Sequence, residues 1–272
     1  MDYVTTTDKT RLYVKDWGTG SPVILIHGWP LSADSWDDQA MAIAETGYRA
    51  IAYDRRGFGR SSQPWSGYDY DTLADDLAAV IEQTRVRDAT LVGFSMGGGE
   101  VARYMSRHGG KSVVKAALIS SVLPYRLKTA DNPAGTEQAA FDKTAQALRD
   151  DRAQFFTEFF KKFFGVGMAS NQVSDELLEW ARSVAMQASL QATIACQKSF
   201  ATTDFRGDLS AFKVPTLIIH GTEDKTVPID ASSRAAAKGI AQSQLIEYDG
   251  APHGLFATDK ARLTKDLLAF LG

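Results

Sequence analysis

Apolar and polar positions along the 272-residue chain follow two alternating rhythms. The first segments, "YVTTT" and "RLYVKDW", alternate residue by residue around the turn-like "DK", which predicts an antiparallel hairpin. "PVILIHG" is a continuous apolar run, the pattern of a strand covered on both faces. "SADSWDDQAMAIAET" predicts a helix closed by Gly47, and "YRAIAYD" predicts another strand. "DTLADDLAAVIEQT" puts Leu73, Leu77, Val80 and Ile81 on one helical face, with Asp71 as the expected cap. "ATLVGF" then predicts a strand, "GGEVARYMSRH" a helix and "VVKAALISS" a strand. From about Pro124 to Arg206 the pattern is helical, with no buried strand. Alternation resumes with "VPTLIIHG" and "SQLIEYD" as strands, "DASSRAAAKGI" and "KARLTKDLLAFL" as helices.

Strands alternating with helices predict an α/β fold, a mostly parallel sheet with helices on both faces. The helical block falls between two sheet strands. It is expected to sit over the strand ends as a cap, residues 124–205, inserted into a core formed by 1–123 and 206–272.

Composition narrows the function classes. The chain is 44% hydrophobic and 23% charged with a net charge of -3, so it offers no basic field for nucleic acid or an anionic membrane. Cys196 is the single cysteine, which excludes an intrachain disulfide and a cysteine-rich metal site. The polar start "MDYVTTTDKT" lacks the basic and apolar regions of a signal peptide, and no apolar run is long enough to span a bilayer. A cytoplasmic protein is expected.

Gly93-Phe94-Ser95-Met96-Gly97 matches G-x-S-x-G, and it lies between a predicted buried strand and a predicted helix. That context gives the match its meaning. A sharp strand-to-helix turn lifts the serine oxygen clear of the backbone, and it needs small neighbours such as Gly93 and Gly97. The helix N-terminus also turns free N–H groups toward developing negative charge. The rival reading is a Gly-rich turn with an incidental serine. A dinucleotide loop is rejected, because G-x-G-x-x-G would need glycine at position 95. "RGFGRS" lacks a third glycine and reads as a tight loop.

A serine hydroxyl needs a base, and the base needs orienting. The histidines are His27, His108, His220 and His253. His108 ends a helix on the far side of the sheet and reads as a surface or capping residue. His27 and His220 end strands and read as buried, hydrogen-bonded scaffold. His253, in the loop "GAPHGLF" after the last strand, is the expected base, because such loops gather at the carboxyl ends of the strands. Asp224 follows the strand "TLIIH" and is the expected acid, with Glu223 as the alternative; Asp249 lies too near the end of its own strand. The order Ser95, Asp224, His253 suits this fold.

These segments give the chain a resemblance to the α/β-hydrolase superfamily. More narrowly it is similar to the cofactor-free bacterial haloperoxidases, or perhydrolases, and the aryl esterases grouped with them. "HGWP", "YDRRGFGRSSQPWSGYDYDTLADDL", "LVGFSMGGGEVARYMSRHG", "VPTLIIHGTEDKTVP" and "APHGL" carry the resemblance across essentially the whole chain; the block after Pro124 matches less clearly. It implies Ser95 as nucleophile, Asp224 as acid, His253 as base, and the backbone N–H groups of Trp29 and Met96 as the oxyanion hole. Relatives with aspartate at the nucleophile position are haloalkane dehalogenases or epoxide hydrolases, and serine argues against both. The resemblance also implies a homo-oligomer, a trimer or hexamer, and no metal or organic cofactor.

Pro30 follows the oxyanion residue, so its ring is expected to shape the acyl pocket. Proline restricts the residue before it and so directs the Trp29 carbonyl. A carbonyl aimed into the site would accept a hydrogen bond from hydrogen peroxide and favour peroxide over water; the alternative is a proline that only stiffens the loop. In "QFFTEFFKKFFG", Phe155, Phe159 and Phe163 share one helical face, and Phe156, Phe160 and Phe164 share the next. So wide an apolar arc suits core packing, with Phe159 and Phe163 expected to line the pocket beside Val122 and Val227. The expected activity is hydrolysis of small to medium, possibly aryl, esters through an acyl-enzyme, with perhydrolysis of the same acyl group. Alternatives on the same triad are a lactonase, an amidase or lactamase, and a carbon–carbon bond hydrolase. A non-enzymatic ligand receptor is the reading from another class.

Overall fold

The computed structural model describes residues 2–168 and 173–272. Eight strands form one sheet in the order β1-β2-β4-β3-β5-β6-β7-β8. They are β1 (Tyr3–Thr5), β2 (Arg11–Gly18), β3 (Pro22–Ile26), β4 (Arg49–Tyr53), β5 (Ala89–Phe94), β6 (Val113–Ile119), β7 (Thr216–Gly221) and β8 (Ser243–Tyr248). The hairpin β1–β2 and the pair β2–β4 are antiparallel, and every later pairing is parallel. β5 lies inside the sheet between β3 and β6 and all six of its residues are buried, as its unbroken apolar run requires.

The helices are α1 (Asp37–Glu45), α2 (Tyr70–Gln83), α3 (Met96–Arg107), α4 (Gln138–Phe163), α5 (Asp175–Gln187), α6 (Leu190–Thr202), α7 (Ser233–Gly239), α8 (Leu255–Thr258) and α9 (Lys260–Leu271). Gly47 follows α1 with a φ of 91°, the left-handed conformation expected of a terminating glycine. On α2 the residues Leu73, Leu77, Val80 and Ile81 are buried as their spacing predicts. Its cap is Asp69 and not Asp71. Asp69 has an extended backbone, and its carboxylate accepts from the Thr72 N–H at 3.0 Å. The helix therefore begins earlier than the polar pattern suggests, with Tyr70 buried in its first turn.

Between β6 and β7 the described residues form α4, α5 and α6 and no strand of the sheet. α4 is kinked at Asp151 (φ -155°, ψ 87°), whose carboxylate accepts from the Gln154 N–H at 2.9 Å and restarts the helix. The second half carries Phe155, Phe156, Phe159, Phe160 and Phe163. Phe156, Phe160, Phe163 and Phe164 are fully buried in a core continuous with the strands, while Phe155 and Phe159 are only partly covered. No helix among the described residues is long and apolar enough to cross a membrane.

Candidate active site

β5 runs straight into α3, and Ser95 is the residue at the corner, with φ 52° and ψ -115°. A non-glycine residue at positive φ is uncommon and costs about 1–3 kcal/mol. The corner is held by the Ser95 N–H donating to the Ile119 carbonyl at 2.8 Å and by the Gly98 N–H donating to the Ser95 carbonyl at 3.1 Å. It also requires glycine on both sides. A Cβ on Gly93 would lie 2.6 Å from the Gly97 carbonyl oxygen, and one on Gly97 would lie 2.5 Å from the Ile26 carbonyl oxygen. Both would collide with backbone that cannot yield.

The structure brings Ser95, His253 and Asp224 together from three loops at the carboxyl ends of β5, β8 and β7. Ser95 Oγ lies 2.9 Å from His253 Nε2, and His253 Nδ1 lies 2.5 Å from Asp224 Oδ2. The second carboxylate oxygen of Asp224 accepts from the backbone N–H groups of Thr226 at 2.8 Å and Val227 at 2.7 Å. All three side chains are buried. Glu223 is exposed and paired with Lys225 at 2.6 Å.

Burial works against ionisation of Asp224, but His253 and His220 outweigh it through charge and hydrogen bonds and hold its pKa well below the carboxylate range. For His253 the balance is reversed. Burial lowers its pKa below 6.5 although Asp224 pulls it upward, so the ring stays neutral and able to accept a proton near pH 7. A neutral Nε2 facing a hydroxyl, with Nδ1–H held by a carboxylate, is an arrangement able to take the serine proton.

The other histidines are scaffold. His220 Nε2 lies 3.0 Å from Asp224 Oδ2 and 2.8 Å from the Val227 carbonyl, and its Nδ1 lies 2.7 Å from Ser233 Oγ. It thus supports the acid from behind, a contact the sequence does not announce. His27 accepts from the Arg55 N–H at 2.9 Å, and burial and then the Arg55 charge push its pKa far down. His108 ends α3, stacks on Tyr104 and contacts Asp75 at 2.8 Å. "RGFGRS" is a tight loop, with Gly57 and Gly59 at positive φ.

A cavity of about 590 Å³ opens over Ser95 and His253. Its walls include Trp29, Val122, Phe159 and Val227 from the loops and α4, joined by Phe155, Phe200, Gln197 and Arg126. Two expected pocket residues are absent from this wall. Phe163 lies one helical turn beyond Phe159, and its ring turns inward against the His253 imidazole, 4.8 Å between centroids. Pro30 is buried within the turn closed by the Leu31 N–H on the Gly28 carbonyl at 3.0 Å. Trp29 itself faces the cavity, and its indole N–H donates to the Thr193 carbonyl on α6 at 3.0 Å. Its ring meets Phe155, Phe156, Phe159 and Phe200 edge-to-face. The backbone N–H groups of Trp29 and Met96 have no acceptor among the described residues. Arg126 and Thr226 are among the cavity residues that the sequence does not single out. Their one signal was position just beyond a strand's carboxyl end, where ligands gather in open α/β sheets.

Comparison with known proteins shows the family. Residues 21–260 match the family model described as alpha/beta hydrolase fold. A non-heme chloroperoxidase of Kitasatospora aureofaciens is 41% identical over 273 residues, covering 100% of this chain and 99% of its own. A bifunctional esterase/perhydrolase of Acinetobacter calcoaceticus is 42% identical over 275 residues, with the same coverage. The solved structure of a bromoperoxidase from Bacillus anthracis has a TM-score of 0.95 at 44% identity, covering 99% of this chain and 98% of its own.

Proposed function

The chain belongs to the α/β-hydrolase fold family, a class of enzymes, and within it we propose a serine esterase that also transfers its acyl group to hydrogen peroxide. The observation that carries this reading is the unbroken hydrogen-bonded series Ser95–His253–Asp224 beneath the cavity. His253 Nε2 takes the Ser95 proton as Oγ bonds to the ester carbonyl carbon. The N–H groups of Trp29 and Met96, which lack acceptors among the described residues, receive the oxyanion. Each such donor is worth about 2.7–4 kcal/mol in the transition state. His253 then gives its proton to the departing alcohol and leaves an acyl-enzyme. Water attacks next, His253 again acting as base, and the acid departs.

Hydrogen peroxide in place of that water yields a peracid. The peracid passes an oxygen atom to halide, which gives hypohalite and returns the carboxylic acid, so the halide oxidation needs no metal. The names of the chloroperoxidase and esterase/perhydrolase relatives support this branch. The Trp29 carbonyl also supports it, because it accepts no hydrogen bond from the described residues and is free to accept one from peroxide. Residues 124–205 serve as the cap of this reading, which also includes a cytoplasmic setting and a homo-oligomer.

One panel tests it. Short-chain and aryl esters are turned over by the wild type with and without peroxide, beside Ser95→Ala and Pro30→Leu. Ser95→Ala is expected to lose turnover at least a thousandfold, the scale of removing a triad nucleophile. Pro30→Leu is expected to lower the ratio of perhydrolysis to hydrolysis. Substantial turnover by Ser95→Ala would overturn the nucleophile, and an unchanged ratio would overturn the part given to Pro30.

A further inference from the structure

The cavity is mostly apolar, yet it holds a guanidinium without a counterion. Arg126 follows β6 and lines the cavity together with Ser95 and His253. Among the described residues its side chain makes one hydrogen bond, from Nη2 to the Thr226 carbonyl at 3.0 Å. Among the described residues its buried Nε has no acceptor, and no carboxylate lies within ion-pair distance of it. The Thr226 hydroxyl, also on the cavity wall, is likewise buried without a partner among the described residues.

Two other charges at this cavity are answered. Glu158 pairs with Lys161 at 2.9 Å, and Lys225 pairs with Glu223 at 2.6 Å. Lys162 adds a further positive charge to the wall. Arginine keeps its charge in proteins, and a buried guanidinium N–H without an acceptor is costly. Burial draws the Arg126 pKa down and the Asp224 charge opposes it, so the nearest compensation comes from a group that Ser95 already needs for its own chemistry. Unpaired donors beside one another, a planar fork and a hydroxyl, match an acceptor with two oxygens.

We propose that Arg126 and Thr226 form a carboxylate-recognition subsite inside the active-site cavity, and that the preferred substrates are esters or lactones carrying a free carboxylate. This names the substrate class of the proposed esterase and rests on that reading. The apolar walls take the carbon skeleton, the fork at Arg126 takes the carboxylate, and the ester lies over Ser95. Neutral esters of the same length fit the walls but leave the donors unanswered.

Matched esters read the subsite. Monoethyl adipate and ethyl hexanoate share an acyl length and differ by the carboxylate; 4-(butanoyloxy)butanoate and butyl butanoate carry the same comparison on the alcohol side. The quantity measured is the charged-to-neutral ratio of kcat/KM. In at least one pair, Arg126→Gln is expected to lower that ratio about ten- to hundredfold, the loss of a hydrogen bond to a charged group, with most of the change in KM. Arg126→Lys keeps the charge but loses the fork and is expected to fall between. A ratio within twofold of wild type in both pairs for Arg126→Gln would overturn the subsite. So would a wild type that rejects both charged esters a hundredfold.

Calorimetric titration of monoethyl adipate into Ser95→Ala, beside Ser95→Ala with Arg126→Gln, reads binding without turnover. At least tenfold weaker binding in the double variant supports the subsite, and equal binding overturns it. A wild type inert toward all four esters, with Arg126-dependent binding retained, would sink the esterase reading while leaving the subsite standing.

Discussion

Ser95 shows how far a single residue depends on its neighbours. Its hydroxyl is ordinary chemistry, and its position at φ 52° is not. The same holds for His253, whose base strength is set by where the chain buries it. Burial lowers its pKa and Asp224 only partly restores it, so the neutral ring persists at a lower pH than that of a free histidine. In the proposed mechanism only the neutral ring accepts the serine proton. Activity should therefore be lost as pH falls through the His253 pKa, and that pKa lies below 6.5. A kcat/KM profile for a neutral ester is expected to show its acid limb below pH 6.5; a limb at or above that value would contradict the assignment.

Elements carry the site by where they begin and end. α3 starts immediately after Ser95, so its first N–H finds no acceptor in a preceding turn among the described residues. α2 illustrates why helix starts are harder to read than helix faces. The polar pattern points to Asp71 as the cap, yet the helix is capped two residues earlier, by Asp69. Tyr70 decides between them, because its buried ring packs on Phe205 and its hydroxyl donates to the Met96 carbonyl at 3.1 Å. Asp69→Ala is expected to cost about 1 kcal/mol, as loss of an N-cap does. Asp71→Ala removes a partly exposed pair with Arg103 and should cost less. Urea unfolding of the two variants checks the order; the reverse order would place the cap at Asp71.

At the scale of the molecule, the loops after β3 and β4 are tied to α3 by an ion pair sealed from water. Arg55 and Glu100 are both fully buried and in contact. Tyr53 donates to Glu100 at 2.7 Å, and Arg55 also donates to the His27 carbonyl at 2.6 Å. Removing one charge leaves the other buried and unpaired, at about 3–5 kcal/mol. Glu100→Gln is therefore expected to lower the free energy of unfolding by that amount, read from denaturant curves. A change under about 1 kcal/mol would show that the network tolerates a neutral partner.

Much of this was legible beforehand, and the boundary has a physical cause. Strand and helix order, the hairpin, and the chain order of Ser95, Asp224 and His253 follow from local periodicity and from turn residues, which act over a few positions. Position at a strand's carboxyl end was enough to expect Ser95 and His253 near one another. What depends on distant packing was not legible. Phe159 and Phe163 sit on one helical stripe, yet only Phe159 meets the cavity, because the ring of Phe163 is taken up by His253. His220 behind Asp224 and Arg126 without a counterion come from separate segments, and no spacing in the chain links them to Ser95. The sequence by itself determined the alternating architecture and the residues able to do acyl chemistry, because these are properties of short segments. Only the tertiary structure decided which side chains face the cavity and which charges go unanswered, because burial and pairing depend on every element that packs around a group.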